Sequence, residues 1–180
     1  MTIVITMPTF FCGEAEQIVR HLHSGRVDLV HIRKPGATSE ETEQLIRQIP
    51  ASLRPRLVLH DHFHLAQQYG LHGVHLNSRN SQPPEGWTGS VSRSCHGMEE
   101  LSCWKDRCHY LSLSPIFDSI SKSGYLAAFS YDDIAQAHSL GIIDHKVLAL
   151  GGVTFDKIEA VHNMGFGGAM ILGDAWREKL

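Results

Sequence analysis

Proton-active and anion-binding side chains recur in this sequence wherever an apolar run stops. His31-Ile32-Arg33-Lys34 closes the run that begins at Val27, and His60-Asp61-His62 closes the one from Arg56. His75-Leu76-Asn77 follows Gly73, and Ser94-Cys95-His96 follows Ser90. Asp118-Ser119-Ile120-Ser121-Lys122 comes after Tyr110 to Phe117, and Gly173-Asp174 after a last apolar run. A polar group at the end of a buried strand costs stability unless it is paired, which favours a use for it. His31 and Arg33, two apart, share one face of an extended segment. A guanidinium fork suits a phosphate or carboxylate better than a generic ion pair. An imidazole at His96 suits proton transfer, against the plainer reading of a neutral group at a helix start. His75 reads as structural. Lys122 would by default be a solvated lysine, but beside Ser119 and Ser121 it could clamp an anion.

Lys146 to Trp176 carries a second kind of signal. An apolar run ends in Gly151-Gly152, a helical stretch follows with Thr154 placed to cap it, and a second apolar run ends in Leu172-Gly173-Asp174. This is a βαβ unit with glycine at both strand ends. Without Cβ, glycine lets backbone N–H groups approach an anion closely. In an eight-stranded barrel the loops after strands 7 and 8 are a frequent phosphate site. A phosphate monoester is the expected ligand here.

His60-Asp61-His62-Phe63-His64 also invites a metal-hydrolase reading, because an H-x-H at a strand end can hold zinc. His62 and His64 are expected to lie beyond the strand, which weakens that reading.

The elements that must position these residues follow from periodicity. Strands are predicted at Ile3 to Thr6, Val27 to Arg33, Arg56 to His60, Gly73 to Leu76, Ser90 to Ser94 and Tyr110 to Phe117, with the βαβ unit supplying two more. Helices are predicted at Cys12 to Ser24, Thr38 to Gln48, His62 to Tyr69, Gly97 to Lys105, Ser130 to Leu140 and Thr154 to Met164. Thr38-Ser39-Glu40-Glu41 reads as a capped helix start. Asn77 to Gly89 holds Pro83-Pro84 and Gly86, so helix 4 is reduced or absent, and little chain remains for helix 8. Eight strands alternating with helices predict an α/β fold, a compact (β/α)8 TIM barrel, as a single domain over residues 1–180. The turn from Pro8 to Gly13 lacks G-x-G-x-x-G, which argues against a dinucleotide fold.

The chain has 180 residues, a net charge of -3, 13 histidines and 4 cysteines. That charge offers no footprint for nucleic acid. No apolar run approaches the ~20 residues of a membrane span. The N-terminus lacks a basic n-region and a cleavage site. The cysteines show no zinc or disulfide spacing, so a reduced, cytoplasmic setting is expected.

Taken in order, Val30-His31-Ile32-Arg33, Leu59-His60-Asp61, Gly73-Val74-His75-Leu76, Ser94-Cys95-His96, Ser114-Pro115-Ile116-Phe117, Leu150-Gly151-Gly152-Val153 and Ala169-Met170-Ile171-Leu172 resemble the thiamin phosphate synthase/TenI superfamily. The resemblance implies a (β/α)8 barrel acting on a thiazole phosphate. The synthases of that superfamily couple hydroxymethylpyrimidine pyrophosphate to a thiazole phosphate with Mg2+, whereas TenI-type members aromatise a thiazole carboxylate phosphate by moving a proton. It implies that Gly151, Gly152, Leu172 and Gly173 bind the phosphate. Ser119 and Ser121 stand for two threonines beside Lys122, and Ser94 for a pyrophosphate-contacting serine. His31 and Arg33 occupy a Gln-x-Arg position, with Pro35 where the motif's lysine should be and Lys34 next to it. His60 stands for a pyrimidine-binding asparagine. Asp61 matches one Mg2+ ligand, while Asn80, preceded by Arg79, replaces the second, an aspartate. His96 matches the proton-transfer histidine of TenI-type enzymes. These departures favour a thiazole tautomerase needing no cofactor, with His96 as base and then acid and Arg33 on the substrate carboxylate. A magnesium-dependent synthase is the alternative, and a non-catalytic thiazole or thiamin phosphate-binding regulator the third. The expected partner is a small phosphorylated thiazole, and a homodimer is expected by resemblance.

Overall fold

The computed structural model describes residues 1–118 and 126–179. Eight strands pair in sequence order as a closed parallel barrel, with helices between strands. The chain divides into two contact units, Ile3–Val91 and Met1–Thr2 with Ser92–Leu180.

In the first unit, β1 (Thr2–Ile5), β2 (Leu29–Ile32), β3 (Leu57–Leu59) and β4 (Gly73–Leu76) are buried on both faces, as a parallel strand covered by helices must be. The register sets His31 beside Val58 and Leu59 beside Val74, so His60 and His75 follow on neighbouring strands. Helix α1 (Glu14–His23) buries Ala15, Ile18 and Leu22. Helix α2 (Ser39–Gln48) starts on the expected capping box, Thr38 with Glu41, and buries Leu45 and Ile46. A 3₁₀ turn over Ala51–Arg56, absent from the sequence reading, shortens β3 and is followed after that strand by α3 (His64–Gln68). No helix forms between β4 and β5 (Ser90–Cys95) among the described residues, in keeping with the two prolines there.

In the second unit, α4 (Met98–Trp104) leads to β6 (Tyr110–Leu113). Strand β6 stops four residues short of the predicted Phe117. Pro115 has no N–H for a ladder, so the chain leaves the strand before it. Helix α5 (Tyr131–Ser139) has a capping box of Ser130 with Asp133. After β7 (Val147–Ala149), the expected helix from Thr154 divides into a 3₁₀ turn, Phe155–Lys157, and a short α6, Ile158–Asn163. Thr154 stands at the start of that turn but makes no side-chain cap bond. The cap comes instead from beyond β8 (Gly168–Ile171), where Asp174 accepts from the Phe155 N–H at 2.7 Å. The tail is the reduced helix 8, a 3₁₀ segment over Gly173–Lys179 kinked at the buried Trp176. The four cysteines are free thiols, and burial pushes the Cys95 thiol up to about 12. No helix among the described residues is long and apolar enough to cross a membrane.

Candidate active site

The expected phosphate cup lies in the second unit, at the ends of the paired strands β7 and β8. Ile116 N–H donates to Leu150 O at 2.9 Å and Phe117 N–H to Gly151 O at 3.0 Å, so the segment after β6 is laced to the turn after β7. Gly151 and Gly152 both hold positive φ, 90° and 63°. A Cβ on Gly152 would lie 2.2 Å from Asp118 O and 2.7 Å from Phe117 O. Glycine is required there on both counts. Leu172 and Gly173 follow β8, half-buried. The bond from Phe155 N–H to Asp174 ties that end of the cup to the turn after β7, and Arg177 Nε reaches Asp174 at 2.5 Å. Successive backbone N–H groups at such turns form a concavity suited to an anion. Sequence reasoning missed Lys157. Its Nζ donates to Gly152 O at 3.0 Å and sits 4.5 Å from the Phe117 ring centroid, which brings a positive charge to the cup. Its signal was its place five residues after Gly152, on the first turn of the expected helix. Ser119, Ser121 and Lys122 lie outside the described residues.

In the same unit His96 is exposed, at the start of the connection from β5 to α4. Its Nδ1 lies 3.2 Å from Ser114 Oγ and 3.3 Å from Ser114 O, while its backbone N–H donates to Glu100 Oε2 at 2.9 Å. Glu100 in turn pairs with Arg93 at 3.2 Å. The ring is thus oriented through Nδ1. Ser94 Oγ accepts from Ser112 Oγ at 3.3 Å on the neighbouring strand.

The first unit holds the remaining predicted residues. Thr6 brackets Arg33: its Oγ1 accepts from the Arg33 N–H at 2.9 Å and donates to Arg33 O at 3.3 Å. The Arg33 side chain is half-buried. Lys34 has a different fate. Its ammonium is buried, donates to Met7 O and Thr9 O at 2.9 Å, and forms an ion pair with the equally buried Glu14 at 2.5 and 2.7 Å. Desolvation lowers the Lys34 pKa and raises that of Glu14, against their mutual attraction. Lys34 therefore does not stand in for the motif lysine displaced by Pro35.

His60 does not join His62 and His64. His62, in left-handed backbone at φ 54°, places Nε2 2.8 Å from Ala37 O, and His64 meets Ser39 Oγ at 3.0 Å. Strand alternation is already lost at those positions. His60 instead meets His31 and His75, all three buried. His31 Nδ1 and His60 Nε2 lie 2.9 Å apart, and the His60 and His75 rings stack at 4.2 Å between centroids. Burial, reinforced by the neighbouring imidazoles, holds His31 and His60 well below the usual histidine pKa, so both are neutral near pH 7. His75, read from sequence as structural, is thus part of a buried imidazole cluster.

The loop after β4 folds over the end of β3. Asn77 Nδ2 donates to His60 O at 2.7 Å, and Asn77 Oδ1 accepts from the backbone N–H groups of Arg79 and Asn80. Asp61 is engaged on both oxygens: Arg79 Nη2 reaches Oδ2 at 3.1 Å and Oδ1 at 3.2 Å, and Asn80 Nδ2 donates to Oδ1 at 2.8 Å. Mg2+ requires hard, anionic oxygen donors in octahedral array. One carboxylate already countered by a guanidinium, beside a neutral amide turned donor-first toward it, does not fit that ion. Replacing Arg79 by Ala and Asn80 by Asp together should raise Mg2+ affinity in the presence of pyrophosphate by about tenfold or more, since a full like-sign donor is added and a cation removed. Titration calorimetry of both proteins measures this, and equal affinities would count against this account of the poor fit. Without Mg2+ the double variant should be less stable than the wild type, because it sets a second carboxylate against Asp61, where Asn80 now donates at 2.8 Å, and removes the Arg79 counter-charge.

Comparison with known proteins places the whole arrangement in context. A family model described as thiamine monophosphate synthase matches residues 2–173. The thiamine-phosphate synthase of Koribacter versatilis is 26% identical over 166 residues, covering 86% of this chain and 76% of the relative. That of Geobacillus thermodenitrificans is 25% identical, covering 88% and 76%. Among solved structures, a thiamine phosphate pyrophosphorylase from Bacteroides thetaiotaomicron is 38% identical with a TM-score of 0.86, covering 98% of this chain and 84% of its own. One from Pyrococcus furiosus, 16% identical with a TM-score of 0.71, shares the fold.

Proposed function

The chain belongs to the thiamine monophosphate synthase family, and we propose that it is a thiamine-phosphate synthase, joining a hydroxymethylpyrimidine pyrophosphate to a thiazole phosphate. The family match over residues 2–173 carries this reading, with relatives that bear the synthase or pyrophosphorylase name. That evidence favours the synthase over the tautomerase expected from the residues alone. In the reaction the thiazole ring nitrogen forms a bond to the pyrimidine methylene carbon, the carbon–oxygen bond to pyrophosphate breaks, and pyrophosphate leaves with that electron pair. The residues divide the work. The turns at Gly151, Gly152, Leu172 and Gly173 hold the thiazole phosphate through backbone N–H groups, with Lys157 countering its charge. Arg33 takes pyrophosphate oxygens through its fork. Arg79, half-exposed beside Asp61, adds a second guanidinium for the same group. In the second unit, Ser94 and His96 supply hydrogen-bond donors to the substrate. Lys34 stays outside the chemistry, committed to Glu14. The metal fit described above gives no ground for routing a step through Mg2+. The reading is tested by mixing both substrates with purified protein. Equal yields of thiamine phosphate and pyrophosphate support it, and thiazole tautomer turnover without coupling returns the assignment to the tautomerase.

A further inference from the structure

We propose that His31, His60 and His75 form a binding site for a zinc-like transition-metal ion. The inference rests on the geometry of the first unit alone and stands or falls separately from the synthase reading.

Three observations carry it. First, one ligand nitrogen from each of these residues lies within 4.8 Å of the other two, the one such group of three among the described residues. Tetrahedral zinc with Zn–N near 2.0–2.1 Å sets its ligand nitrogens about 3.4 Å apart. The contact between His31 Nδ1 and His60 Nε2, 2.9 Å, is tighter than that, and the ligand atoms of all three lie within 4.8 Å of one another. Shifts of about an ångström or less in ring position would bring all three onto one ion. Second, the register builds the cluster on three consecutive strands. His60 and His75 come side by side, and His31 one pleat away on β2, so backbone pairing fixes the ligand origins before any ion arrives. Rigid placement of this kind is what a ligand set needs. Third, the donor chemistry is selective. Three imidazoles with no carboxylate among them suit zinc, copper, nickel or cobalt and disfavour Mg2+ and Ca2+. His60 is the least buried of the three residues, and Asn77 and Asn80 both donate to its backbone carbonyl.

The test uses the full chain stripped of metal by a chelator and titrated with Co(II), then with Zn(II). The expected result is a saturable, one-to-one rise of the intense visible bands of low-coordinate Co(II), abolished when Zn(II) displaces it, with a rise in thermal midpoint on Zn(II) addition. His31→Gln and His60→Asn should each weaken Co(II) binding by about 100-fold or more, whereas His64→Gln, which alters a ring facing Ser39, should leave it within about twofold. The proposal is overturned by the weak spectrum of six-coordinate Co(II) in the wild-type protein, by the absence of saturable binding, or by one-to-one binding that survives in both variants. The wild-type spectrum decides even if a variant fails to fold.

Discussion

Replacing Glu14 by Gln should destabilise the fold by about 3–5 kcal/mol, the usual result of stripping one partner from a buried ion pair. Both side chains of the pair are 2% exposed, and the Lys34 ammonium would lose its counter-charge, keeping as acceptors the Met7 and Thr9 carbonyls and one neutral amide oxygen. For a chain of this length, the thermal midpoint should fall by roughly 10 °C or more. The pH dependence has a definite sign. Desolvation already depresses the Lys34 pKa, and loss of Glu14 removes what opposes that depression. Between the depressed folded value and the ordinary value of 10.5 the unfolded chain binds more protons than the folded one, so the variant gains stability as pH rises through that interval. Combining Glu14→Gln with Lys34→Met, which removes the orphaned charge, should recover most of the loss. Thermal melts of the three proteins check this; a single variant as stable as the wild type would mean that the pair does not hold the end of β2.

Gly152→Ala should lower kcat/KM for the coupling reaction by about 100-fold or more, the scale on which an ångström of misplacement is felt. The added Cβ would enter the carbonyls of Phe117 and Asp118, both backbone atoms that no rotamer can clear. Relief requires moving the segment after β6 away from the turn after β7, which opens the cup where the phosphate is proposed to sit. Gly141→Ala isolates the cause. Gly141 has φ 69°, close to the 63° of Gly152, but its Cβ would meet nothing within 4 Å. It should show only the backbone strain of about 1 kcal/mol in stability, with turnover unchanged. Equal kinetic losses in both variants would assign the effect to strain rather than to the cup.

The fold was legible where local chemistry and pattern agree. Short, mostly apolar runs of three to six residues between helical patterns marked the parallel strands, and Thr38 with Glu41 marked the start of α2. Pro83-Pro84 announced the missing helix between β4 and β5. Strand β6 was overrun because Pro115-Ile116-Phe117 continues an apolar pattern that proline ends as a ladder. The turn after β7 gave no sign that its cap would come from Asp174, nineteen residues on. The site was less legible for the same reason, since its contacts depend on register and on distant elements. Glu14 looks like an ordinary acidic residue in a helix's first turn, and nothing local says that it is buried against Lys34. Spacing along the chain grouped His60 with His62 and His64, whereas register groups it with His31 and His75. The signal was present in the strand ends: three consecutive strands each carry a histidine at or just past their last turns.

The central claim is the coupling reaction, and its most direct measurement follows both products from hydroxymethylpyrimidine pyrophosphate and thiazole phosphate with the purified chain. Thiamine phosphate and pyrophosphate should appear in equal amounts, over many turnovers per protein, and Gly152→Ala should suppress both together. No coupled product under these conditions, with the thiazole phosphate bound or its tautomer turned over instead, would contradict it.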